Sequence, residues 1–121
     1  MSQVLYSIAA TTVMFSVAGS ALGLITLYGA GTLGKIMTRV EPSYNRAWAL
    51  VFRHVPLAWL VIGALTSGAA VACALLAENR TIGIVACAIG CFGVLLCMLN
   101  HFVAHGFYRT FKAKETITNS P

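Results

Sequence analysis

His101 and His105 stand four residues apart in "LNHFVAHGFYRTFKAK", residues 99–114, where a long apolar run gives way to basic residues. Imidazoles there offer two chemistries: ligation of haem or a metal through a ring nitrogen, and proton exchange near neutral pH, which also suits contact with a quinone or sensing of pH. Residues at i and i+4 share one helical face, about 6 Å apart in rise. They cannot clamp one haem between them, because axial ligands approach the iron from opposite faces of the macrocycle. A second helix must supply the other ligand, and His54 is the only further histidine. Counted along ideal helices from a turn near residue 80, His54 and His105 lie about 39 and 38 Å away, which makes them level. His54 and His105, with His101 as the deeper alternative at about 31 Å, therefore form the candidate cofactor site, and haem b is the group that would fit it. A depth near 38 Å nevertheless exceeds the roughly 30 Å hydrocarbon core. The plainer reading places these rings at a membrane boundary with their polar edges in water and no resident cofactor.

Four cysteines, Cys73, Cys87, Cys91 and Cys97, all fall inside apolar runs and include no CxxC pair. Cys87 and Cys91 share a helical face, but a closed structural metal site wants about four ligands. The expectation is that they serve as small, soft packing residues and that no metal is bound.

The elements that must position these residues follow from composition. The chain has 121 residues, 59% of them hydrophobic and only 9% charged, against roughly 25% charged in soluble domains. Residues 1–34, 54–77 and 81–108 carry no Lys, Arg, Asp or Glu, and a spanning helix needs about 20 apolar residues. These runs are continuous rather than alternating, which points to helices and excludes a closed barrel. The sequence therefore predicts a single all-α integral membrane domain over 1–121. Three transmembrane helices are expected at about 4–28, 55–77 and 82–103, followed by a basic tail at 108–121. The N-terminal run lacks a basic n-region and is too long for a signal-peptide core, so it reads as the first span.

Orientation comes from the basic residues. Lys35, Arg39, Arg46 and Arg53 fall in the first loop and Arg109, Lys112 and Lys114 in the tail, with only Arg80 on the opposite side. The positive-inside rule puts loop and tail on the cytoplasmic or matrix side of a bacterial or mitochondrial inner membrane, with the N-terminus outside. The formal net charge of +5 then concentrates on the inner face, where it attracts anionic lipid headgroups. The basic residues are too sparse and too close to the membrane to suggest nucleic acid as a partner.

Between the first two runs, "EPSYNRAWALVFRHVP" predicts a short interfacial amphipathic helix at about 42–54. Pro42 suits its first turn, and Tyr44, Trp48, Val51 and Val55 form an apolar stripe opposite Asn45, Arg46 and Arg53. Pro56 should break the helix before the second span. Aromatic residues Tyr44, Trp48, Trp59, Phe107, Tyr108 and Phe111 should form a belt at one depth.

Small residues mark where helices should meet, because lipid supplies little hydrophobic force between them and close backbone approach must do so instead. Gly19 and Gly23 in the first run, Gly63 and Ser67 in the second, and Gly83, Cys87, Gly90 and Cys97 in the third are the expected packing positions. The last set continues to His101 and Ala104 as one thin face. That face can serve the bundle itself or another subunit.

Several function classes lack their residues. No Asp, Glu, Lys or Arg lies within the spans, whereas ion-coupled transport normally requires an ionisable residue there. No GxSxG or HExxH motif supports hydrolysis. What remains is chiefly a noncatalytic small membrane subunit that packs into and stabilises a larger complex, either respiratory (bioenergetic) or transport. A haem- or quinone-binding anchor using His54, His101 and His105 is the alternative, and a small self-associating pore or transporter is a third reading.

Overall fold

Proline and the polar 41–43 and 77–79 stretches cut the chain into helices. The structure, a computed structural model, describes residues 2–119, with side chains for residues 3–116; Met1 and the last two residues of the basic tail lie outside it. Four helices are present among the described residues: α1 (Ser2–Val40), α2 (Tyr44–Phe52), α3 (Val55–Leu76) and α4 (Arg80–Asn119). The protein is all-helical, and three of its helical stretches are long and apolar enough to cross a membrane.

The two outer helices run well past their apolar runs. α1 has 39 residues and α4 has 40, or about 58 and 60 Å at 1.5 Å per residue. Nothing between Tyr28 and Val40 stops α1 until Pro42 approaches and pushes the preceding residue away from helical geometry. The tail likewise continues α4, because "FKAKET" contains good helix formers and no breaker.

Pro56 acts at the junction between α2 and α3. Without an N–H it cannot bond the Phe52 carbonyl, so α2 ends at Phe52 and α3 restarts with Pro56 in its first turn. α2 buries Asn45, Ala49 and Phe52 against α4 and α1. The stripe expected from spacing is therefore divided: Trp48 and Val55 join the core, whereas Tyr44 and Val51 are exposed. Asn45, expected on the polar side, is buried instead. Its Nδ2 donates to the Pro42 carbonyl at 3.0 Å, a local bond that offsets part of the cost of burial, while its Oδ1 is buried without a partner.

α4 packs against all three other helices, and the core has two parts. Near the 77–79 turn, Ala9, Val13, Ala70 and Cys73 form one cluster. At the basic end, Leu27, Ala49, Phe52, Ala104 and Phe111 form the other. The thin face of α4 points into the bundle: Gly83, Gly90, Cys97 and Ala104 are buried, and Cys87 and Val94 are half-buried.

Candidate functional site

The histidines sit at the end where α3 begins and α4 leaves the small-residue zone. His54 is the N-cap of α3 and is exposed. His101 is half-buried, and its Nδ1 lies 2.9 Å from the Pro56 carbonyl. A carbonyl only accepts, so Nδ1 carries the hydrogen, and in the neutral ring Nε2 is the atom with the lone pair. His105 lies one turn on and is exposed. Its ring stacks on that of His101, with centroids 6.1 Å apart and planes 9° from parallel. Two stacked rings on one helical face present ligands from the same side. This pair alone cannot be the two axial ligands of one haem.

Among the described residues no group of three or more His, Cys, Asp or Glu side chains is placed to hold a metal. The cysteines are all free: Cys73 and Cys97 are buried, Cys87 is half-buried and Cys91 is exposed.

A polar bridge that sequence reading missed crosses the middle of the bundle. Ser20 on α1 donates to the Ser16 carbonyl, which leaves its oxygen to accept from Cys97 Sγ on α4 at 3.1 Å. One turn further along α4, Asn100 Nδ2 donates to the Ser20 carbonyl at 2.9 Å and to the Leu96 carbonyl at 2.8 Å. Ser20 and Asn100 are fully buried. Asn100 Oδ1 has no hydrogen-bond partner. The available signal was Asn100 itself, an amide nine residues before Arg109 and inside the charge-free run. In low dielectric such a group must find a partner within the protein. Thr66 is also fully buried and bonds back to the Ile62 carbonyl at 2.8 Å.

The packing positions divide into inward and outward sets. A Cβ on Gly90 would overlap Ala70, and one on Gly23 would lie 2.5 Å from the Trp59 ring. Gly63 faces Cys97 Cβ at 3.3 Å, and Gly83 faces the Ala74 carbonyl at 3.4 Å. Gly19 meets nothing within 4 Å, and Ser67 is exposed. Gly19 instead lines a groove of about 410 Å³ between α1 and α3, together with Thr12, Phe15, Ser16, Trp59 and Ile62.

The aromatic residues gather at the basic end. Phe52 stacks on Phe111 at 6.0 Å and on Trp48 at 6.1 Å, and lies 5.5 Å from Phe107. Gly34 admits Trp48 and Phe111. Lys35 Nζ sits 5.2 Å from the Phe107 centroid, and Lys112 Nζ 5.7 Å from that of Tyr108. Cation–π contacts of this kind hold long basic side chains beside the aromatic layer.

Comparison with known proteins matches no family model to the chain, and neither the curated proteins nor the solved structures give a match.

Proposed function

We propose that this chain is a small noncatalytic membrane subunit that packs against larger membrane-embedded partners and stabilises their assembly in a respiratory or transport complex. Its three apolar stretches cross an inner membrane with the N-terminus outside and the basic loop and tail inside, while α2 lies at the inner interface. One observation carries the reading: the bundle uses Gly63, Gly83 and Gly90 for its own contacts and leaves Gly19, with the α1–α3 groove around it, open on the outside. A small residue exposed in a helix facing lipid gains nothing by itself, whereas against another helix it permits close approach. Large apolar residues such as Leu22, Ile25, Leu65 and Leu75 are exposed elsewhere on the outer surface.

The test is extraction in mild detergent followed by size-exclusion chromatography. Wild-type chain should elute with larger proteins. Gly19→Leu should elute alone while keeping its helical circular dichroism and melting profile, because the position has no internal neighbour. Co-elution that survives Gly19→Leu would rule out the α1–α3 groove as the partner face.

A redox reading has support from one observation. A histidine whose Nδ1–H is held by a backbone carbonyl has the orientation commonly found in ligating imidazoles, with Nε2 free to bind. His101 has that arrangement towards Pro56. A haem at His101 that took its second ligand from a partner chain would lie at the subunit's contact with that partner. Loss of the Soret band from the assembly on His101→Ala, but not on His54→Ala, is the expected signature.

A further inference from the structure

The cleft between α2 and the end of α4 holds a concentration of positive charge that the proposed role does not use. Arg46, Ala49, Leu50 and Arg53 line it from α2, and Tyr108, Lys112 and Glu115 line it from α4, enclosing about 280 Å³. The α2 residues stand at i, i+3, i+4 and i+7, and those of α4 at i, i+4 and i+7, so each set occupies one helical face turned towards the other. Ala49 is buried and forms the floor. Three cationic heads against the one carboxylate of Glu115 leave the lining with two net positive charges.

We infer that this cleft binds the phosphodiester headgroup of an anionic phospholipid. Guanidinium groups match phosphate oxygens with paired N–H donors, which makes Arg46 and Arg53 the primary contacts. Lys112 adds a point charge, held beside Tyr108 by its position 5.7 Å from that ring. The Tyr108 hydroxyl supplies a neutral donor. Depth agrees with a lipid source rather than a soluble phosphate: Tyr108 lies 28 residues along α4 from Arg80, about 42 Å, where a bilayer of about 40–45 Å including headgroups ends. Exposed Leu50 and Val51 on α2 give acyl chains an apolar surface beside the charged cleft.

This inference rests on the proposed inner-face orientation, but its test does not require any partner subunit. Purified full-length chain in neutral detergent is titrated with phosphatidylglycerol, phosphatidylcholine or inorganic phosphate, and bound ligand is counted by native mass spectrometry. Phosphatidylglycerol should bind in preference to phosphatidylcholine, and inorganic phosphate at the same concentration should not displace it. Arg46→Ala and Arg53→Ala should each weaken phosphatidylglycerol binding about fivefold, Glu115→Gln should strengthen it, and Arg80→Ala should leave it unchanged. Equal binding of the two lipids, or equal losses from Arg53→Ala and Arg80→Ala, would overturn the site. Displacement by inorganic phosphate would overturn the lipid assignment. Normal lipid selectivity in a chain that shows no partner in the extraction experiment would leave the cleft standing and remove the subunit reading.

Discussion

The two ends of this bundle are held together by opposite means. Near the 77–79 turn the helices meet through Ala9, Ala70, Cys73 and Gly90, so that backbone approaches backbone. At the basic end they meet through Phe52, Phe107, Phe111 and Trp48, ring against ring. In hydrocarbon, apolar area gains little by leaving lipid for protein, and contact energy comes from dispersion at short range. Towards an aqueous boundary, burying aromatic area removes it from water and is favourable again. The bundle therefore changes its mode of contact along its length, from backbone against backbone near the 77–79 turn to ring against ring at the basic end.

The largest effect should come from the ring-packed end. Phe111 is fully buried and stacks with Trp48, Phe52 and Phe107. Phe111→Ala should cost about 3–5 kcal/mol, read as a lower unfolding midpoint in detergent, and should release α2 first because Phe52 and Trp48 lose their common partner. Protease cutting confined to the 41–54 region would show that release. An unchanged midpoint would mean that the aromatic layer is not a cohesive unit.

The backbone-packed end should respond to added volume rather than removed volume. A Cβ at Gly90 already overlaps Ala70, so Gly90→Val forces α3 and α4 apart at a cost of about 1–3 kcal/mol. The companion change Ala70→Gly should recover part of that loss. No recovery would place the strain elsewhere and break the contrast between the two ends.

Between them, the Ser20, Cys97 and Asn100 bridge should contribute less than its burial suggests. Interhelical hydrogen bonds in lipid average well under 2 kcal/mol, because a separated helix also finds partners. Asn100 additionally carries an unpaired Oδ1, which offsets what its Nδ2 bonds supply. Asn100→Leu should therefore cost about 1 kcal/mol or less, measured by reversible unfolding in mixed micelles. A loss comparable with Phe111→Ala would show the bridge to be the main fastening.

How much of this was legible depends on whether a signal lies in one residue type or in relative placement. Three apolar runs sufficient to cross a membrane can be read directly from charge-free stretches, and the break between α2 and α3 follows from Pro56. The thin face of α4 was visible as a spacing, but not its direction, since small residues suit an internal contact and an external one equally well. Gly19 and Gly90 look alike in sequence, yet one meets open space and the other meets Ala70. The α2 stripe was misleading because hydrophobicity cannot reveal that Asn45 satisfies its own Nδ2 locally and can turn inward. The level depth of His54 and His105 came from counting residues. Counting says nothing about azimuth, and the histidine brought against His101 is its own neighbour one turn along.

The same distinction between glycines predicts the smallest effect, and one of opposite sign. Gly106 lies inside α4 at the ring-packed end, exposed and with nothing within 4 Å of where its Cβ would be. A glycine there loses backbone entropy on folding without gaining a close contact, so Gly106→Ala should stabilise the isolated chain by about 0.5–1 kcal/mol. Gly31 is also helical, but its missing Cβ is the space that the Phe107 ring occupies. Gly31→Ala should destabilise through displacement of that ring, although helix propensity alone favours it. Measuring both in the purified chain separates propensity from packing at one level of the bundle. If Gly106→Ala stabilises the isolated chain but weakens co-elution with larger proteins in the extraction experiment, a partner fills the open space beside Gly106, and the proposed contact face would extend onto α4.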